Sequence, residues 1–185
     1  MTLVMPTRVL IVGGGGREHA IAWKLAAEPG INEVVVAPGS AAIAHEDRVR
    51  AEPSVDLLGP ASIVDLARRM AAELVVIGPE GALAAGVADA VQAAGIPVFG
   101  PDAAAARLET SKAYCHEVAA DAGVAMARAR AFGGSEALPA ADYARELAAS
   151  DAGIVLKADG LAGGKGVIVT DTLERVVSSY LPPLL

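Results

Sequence analysis

The chain has 185 residues, room for one large domain or two small ones. Fifteen Lys and Arg against 22 Asp and Glu leave a net charge of −7, which argues against a non-specific nucleic-acid binder. Hydrophobic residues make up 54% and charged ones 20%, which excludes disorder.

The apolar content is mostly Ala and Val. Aromatics are few (one Trp, three Tyr, two Phe), too few for a single-strand stacking platform. A lone cysteine, Cys115, rules out an internal disulfide and a Cys-cluster metal site and fits a reducing compartment. Mean hydropathy is +0.45. Yet the longest apolar stretches, such as Leu74–Ile77, are far short of the ~20 residues of a spanning helix. The first ten residues lack the pattern of a secretory signal. The expectation is a soluble cytoplasmic protein with no membrane partner.

Short β-branched runs alternate with Ala-rich stretches. The run 8–12 reads as a strand buried on both faces and ends in four glycines. A helix follows over 17–27, with Trp23 expected in the core. Segment 33–37 is a second strand, stopped by Pro38-Gly39. Segment 48–58 is ambiguous and has room for another short strand. Residues 60–72 read as a helix, with Ile63, Leu66, Ala67 and Met70 on one face and Pro60 in its first turn. A strand over 74–78, a helix over 80–94 and a short strand over 97–99 complete the alternation. It implies a parallel sheet with helices on both faces over residues 1–101.

From residue 102 the pattern changes. Helices are expected over 103–108, 111–122 and 140–150, the last beginning after Pro139. Segment 129–132 reads as a candidate strand. Strands over 154–158 and 166–169, joined by a glycine-rich loop, predict an antiparallel hairpin. A further helix is expected over 172–180. The apolar end 181–185 has the look of an interrupted domain.

Two glycine loops carry the chemistry. Gly13, Gly14, Gly15 and Gly16, followed by Arg17, lie between a strand and a helix. A helix N-terminus offers unpaired N–H groups and partial positive charge, and glycines let an anion approach. A phosphate is the natural ligand. The dinucleotide pattern G-x-G-x-x-G fails, because its third glycine falls on Glu18 or His19. No acid at the end of the second strand awaits a ribose diol. Pro38, Gly39 and Ser40, and Gly78, Pro79 and Glu80, follow two other strands. Three turns can therefore line one crevice. Glu80 reads either as an acceptor for sugar hydroxyls or as an acid favoured at a helix start.

The second loop spans 157–166 and contains Lys157, Gly160, Gly163, Gly164, Lys165 and Gly166. It fails the Walker A spacing: Asp159 stands where the first glycine belongs, and Gly166 where Ser or Thr belongs. A glycine flap between hairpin strands can still fold over a triphosphate. His19 reads either as orienting the first loop or as making a local hydrogen bond. His45 and His116 lack a metal-ligand pattern, and Cys115 reads as a small buried hydrophobe.

Six segments occur in order: LIVGGGGREHA from Leu10, VAPG from Val36, VIGPE from Val76, FGP from Phe99, LETSKA from Leu108 and VLKADGLAGGKGV from Val155. Together they resemble phosphoribosylamine–glycine ligase, an ATP-grasp family of purine biosynthesis. The resemblance covers nearly the whole chain up to about Val177. It implies ligation of glycine to 5-phosphoribosylamine with ATP split to ADP and phosphate.

It also implies a phosphoribosylamine-binding first domain, with residues 13–17 facing the sugar. An ATP-grasp domain would begin at 102. Lys112, Lys157 and the 160–166 flap would face nucleotide phosphates, and Mg²⁺ or Mn²⁺ would be held by residues outside this chain. Ser40 stands where Asn is usual, and Gly81-Ala82-Leu83 replaces Ala-Pro-Leu. Family chains run on for more than as much again, and 178–185 no longer resembles them. The expectation is an N-terminal part that is inactive alone. The alternatives are a non-catalytic nucleotide or sugar-phosphate binding module and an NAD-type domain.

Overall fold

The computed structural model describes residues 5–149, 153–163 and 166–170. The chain divides into two compact units, Met1–Arg107 and Leu108–Leu185.

The first unit is built on a five-stranded sheet. Its strands are β1 (Arg8–Gly13), β2 (Glu33–Pro38), β3 (Val49–Ala51), β4 (Leu74–Ile77) and β5 (Val98–Phe99). They lie in the order β3-β2-β1-β4-β5, and every pairing is parallel. β1, β2 and β4 read as unbroken apolar runs because both of their faces are covered. Val9, Ile11, Val34, Val36 and Val76 form one buried layer with Ala22 and Ala26 of α1 (Gly16–Ala27). Leu10, Val12, Val35, Ala37, Val75 and Ile77 form the opposite layer. Ile63, Val64, Leu66 and Ala67 of α2 (Pro60–Arg69) cover it, with Val87, Ala88 and Val91 of a later helix. This period-2 division puts helices on both faces, as the alternation implied. The ambiguous 48–58 segment holds β3, an edge strand only three residues long.

The expected single helix over 80–94 is two: α3 (Glu80–Ala84) and α4 (Val87–Ala93). Gly86 between them has φ +80°, a left-handed conformation that separates one helix from the next. Trp23, expected in the core, is 59% exposed because it faces outward from α1. α5 (Ala103–Thr110) follows.

The second unit contains α6 (Lys112–Asp121), α7 (Ala137–Ala148) and the antiparallel pair β6 (Ile154–Lys157) and β7 (Val167–Thr170). α7 begins two residues before Pro139. Proline is tolerated there because first-turn N–H groups have no intrahelical acceptor. Segment 129–132 is not a strand. Phe132 instead stacks at a tilt on Tyr143 of α7 at 5.9 Å and packs beside α7 residues. Ala140, Ala141 and Ala144 of α7 and Ile154 of β6 form a small separate core. The helix expected over 172–180 lies outside the described residues. Among those described, no helix is long and apolar enough to cross a membrane.

Candidate functional site

β1 is central, and the chain leaves it to one side for β2 and β3, then to the other for β4 and β5. The order therefore reverses between β1 and β4. In open α/β sheets a crevice opens there, beyond the carboxyl ends of the strands. The three sequence-predicted turns meet at that edge. Gly39 donates its N–H to the Gly13 carbonyl at 3.1 Å, and Gly78 donates to the Val12 carbonyl at 3.1 Å. A Cβ on Gly14 would stand 2.4 Å from the Gly39 carbonyl oxygen, so only glycine fits between the first and second turns.

The residue that organises this edge is one the sequence reading passed over. Glu18, at the third position of α1, is 4% exposed and is the buried charged side chain among the described residues. Its Oε2 accepts the Gly15 N–H at 2.7 Å, the acidic half of a capping box. Its Oε1 accepts from Arg17 Nε at 2.9 Å. The carboxylate also fills the space beside two glycines. A Cβ on Gly78 would lie 2.0 Å from Oε1, and one on Gly13 would lie 2.6 Å from Cγ of Glu18. Two of the strand-end glycines are thus explained by a carboxylate of the protein itself. The signal was present as an acid three residues after a helix-capping glycine.

Arg17 is exposed, and its Nη2 lies 3.7 Å from Glu80 Oε2. Burial works to raise the Glu18 pKa, but the bonds from Arg17 and Gly15 and the Arg17 charge outweigh it, so its carboxyl is held below the ordinary value. The bond to Glu18, against a smaller opposing effect of burial, raises Arg17. Gly16 is open: a Cβ there would meet nothing within 4 Å. Helix geometry leaves the N–H groups of Gly16 and Arg17 outside the intrahelical ladder. Exposed donors, an arginine and open space converge there, which is the chemistry of a small-anion site. Ser40 Oγ accepts the Ile43 N–H at 3.4 Å, stabilising the turn after β2. Pro38 and Pro79 shape the second and third turns. His19 bonds Glu46 at 2.7 Å rather than the glycine loop or a local partner.

In the second unit, Lys112 opens α6 and its Nζ donates to the Gly160 carbonyl at 2.9 Å. Lys157 ends β6, exposed, opposite Val167. Gly163 lies in the loop between the two strands. Gly166 closes it, its carbonyl accepting the Ala158 N–H at 2.8 Å. Gly164 and Lys165 lie outside the described residues. His45 is exposed; His116 and Cys115 are half-buried. Among the described residues, no group of three His, Cys, Asp or Glu side chains can hold a metal ion.

Residues 7–109 match the family model for the phosphoribosylglycinamide synthetase N domain, and 110–180 match that family's ATP-grasp (A) domain. The chain belongs to the phosphoribosylglycinamide synthetase family. It is 50% identical over 167 residues to a phosphoribosylamine–glycine ligase of Streptomyces coelicolor, covering 90% of this chain and 38% of that one. It is 44% identical over 168 residues to one from Escherichia coli, covering 91% and 38%. The chain therefore spans under two-fifths of the length of these relatives. Among solved structures it is similar to the biotin carboxylase domain of a Hydrogenobacter thermophilus 2-oxoglutarate carboxylase, crystallised with MgADP, ADP and bicarbonate. That likeness has a TM-score of 0.73 at 24% identity, over 96% of this chain and 40% of that one. A Campylobacter jejuni biotin carboxylase gives 0.69 at 20% identity, over 95% and 41%. At these identities the likeness is one of fold.

The depressed Glu18 carboxyl fixes the sign of an acid effect. Its stabilising contribution is present above the ordinary value of 4.5 and fades as pH falls through the lower folded value. The gap in unfolding free energy between the unsubstituted chain and Glu18→Gln should therefore narrow below pH 4.5 in denaturant titrations. A gap that stays constant from neutral pH to about pH 3 would contradict this assignment.

Proposed function

We propose that this chain is the N-terminal part of a cytoplasmic enzyme that joins glycine to 5-phosphoribosylamine at the expense of ATP, giving glycinamide ribonucleotide, ADP and phosphate. The observation that carries the reading is the in-order match of the two family domains over 7–180. In this reading, residues 1–101 form the sugar-phosphate domain and residues 102–185 begin the ATP-grasp domain. The glycine carboxylate attacks the terminal phosphorus of ATP, releasing ADP and leaving an acyl phosphate. The amine of phosphoribosylamine then attacks the acyl carbon and expels phosphate. Neither step asks a side chain to form a bond; positioning and charge neutralisation supply the rate.

The crevice at the β1–β4 reversal takes the sugar phosphate. Gly16 leaves the backbone open to it, and Gly13, Gly14 and Gly15, packed on Glu18 and the Gly39 carbonyl, form the turn that leads there. The free N–H groups at the start of α1 and the Arg17 guanidinium meet the phosphate. Pro38, Gly39, Ser40, Gly78 and Pro79 form the flanking walls. Glu80 accepts from a hydroxyl or from the amine in this reading. In the second unit, Lys112, Lys157 and the loop holding Gly160, Gly163, Gly164, Lys165 and Gly166 face the nucleotide phosphates. The divalent cation that this reading implies, Mg²⁺ or Mn²⁺, does not fit any cluster among the described residues. Its ligands, and most of the glycine site, belong to the length that the relatives have and this chain does not.

Calorimetry with ribose 5-phosphate and with NAD tests the first half of the reading. Tighter binding of ribose 5-phosphate is expected, and tighter binding of NAD would contradict it. Gly16→Val is the cleaner probe of the phosphate position. Its Cβ meets no protein atom, whereas one on Gly15 would lie 3.0 Å from Glu18 Oε2. It should weaken ribose 5-phosphate by about tenfold or more, ~1.4 kcal/mol, without lowering the unfolding midpoint.

ADP release with glycine and freshly generated phosphoribosylamine tests the second half. The 185 residues alone should show no turnover beside a full-length relative. Turnover within about tenfold of that relative would show that the missing length is dispensable.

A further inference from the structure

The reading above leaves Asp159 without a role. It stands in the loop between β6 and β7, yet its carboxylate is bound to the start of α6, more than forty residues earlier. Oδ2 accepts from Ser111 Oγ at 3.0 Å. Oδ1 accepts the N–H of Lys112 at 2.6 Å and that of Ala113 at 3.3 Å. One residue on, the Gly160 carbonyl accepts the Lys112 ammonium at 2.9 Å. Gly160 has φ +88°, a left-handed turn that aims its carbonyl back at α6.

A helix cap does not explain this arrangement. α6 already has one: Ser111 Oγ accepts the Tyr114 N–H at 3.1 Å. The second acceptor at the same helix end joins two pieces far apart in sequence. It fixes the beginning of a glycine-rich loop, whose free backbone otherwise samples many conformations. It also fixes the backbone from which a long, rotamer-rich lysine projects. The Asp159 carboxyl is held below its ordinary value. Burial opposes this, and the bonds from Ser111, Lys112, Ala113 and Gly160 outweigh it. It therefore stays an acceptor-only anion throughout the neutral range.

We propose that Asp159 is a positioning residue of the nucleotide-phosphate site: it ties the Gly160 turn to the start of α6, so that the Lys112 ammonium waits beside the glycine loop on a carbonyl that a phosphate oxygen can replace. The inference rests on the nucleotide reading of Lys112 and this loop. Asp159 itself touches no nucleotide and acts through Lys112.

The test is a double-mutant cycle on the 185-residue chain, with ADP as probe and calorimetry as readout. Asp159→Ala is expected to weaken ADP by about tenfold when Lys112 is present, and by less than about twofold in a Lys112→Ala background. Asp159→Asn keeps one acceptor for the Lys112 amide and should recover part of the loss. It also serves if the alanine variant does not fold. Thermal unfolding of each variant separates affinity from stability. Equal losses of affinity in both backgrounds would overturn the proposal, because a purely structural role adds independently. ADP binding that is unchanged in Asp159→Ala and Asp159→Asn would overturn it alone. No ADP binding by the unsubstituted chain would overturn the nucleotide reading and this inference with it.

Discussion

A buried carboxylate costs several kcal/mol unless it is paired and hydrogen-bonded, and the edge of the first sheet is arranged around one. Glu18 reaches from the third residue of α1 into the gap between the β1 and β4 turns, where Gly13 and Gly78 leave room for it. It takes the Gly15 N–H and the Arg17 side chain as partners. Among the described residues, no buried side-chain polar atom lacks a partner. One anion thereby settles the path of the glycine loop, the spacing of two strand ends and the direction of the arginine. It takes the Gly15 N–H, while those of Gly16 and Arg17 lie outside the helix's own hydrogen-bond ladder.

The second unit repeats the device with different parts. Asp159 is again an acid that holds a glycine turn against the first residues of a helix, and Lys112 takes the place of Arg17. In both cases a protein carboxylate accepts from backbone N–H at the start of a helix, and a cation stands beside a loop of small residues. In the proposed reading the cation is the group that meets a phosphate, and the carboxylate sets where it stands.

The sheet was legible because β1, β2 and β4 are covered on both faces and so appear as unbroken apolar runs. β3 was ambiguous because an edge strand of three residues, with an exposed Arg50, has neither an apolar run nor clean alternation. The break at Gly86 was hidden because a glycine within an Ala-rich stretch is also tolerated inside a helix. Trp23 misled because its size suggests burial, whereas the α1 face packed on the sheet is lined by Ala22 and Ala26. The glycine loops were legible as candidate phosphate sites from composition and spacing. Glu18 and Asp159 were not, because their partners are fixed by the fold: Gly78 lies sixty residues beyond one, and Ser111 lies forty-eight before the other.

Amide shift mapping of the ¹⁵N-labelled chain during titration with ribose 5-phosphate tests the central claim most directly. That claim is that the crevice ordered by Glu18 is where the sugar phosphate binds. The account predicts the largest shifts at Gly15, Gly16, Arg17, Gly39, Gly78 and Glu80. Unmoved amides at these positions, with shifts gathered instead at Lys157, Gly160 and Gly163, would contradict it.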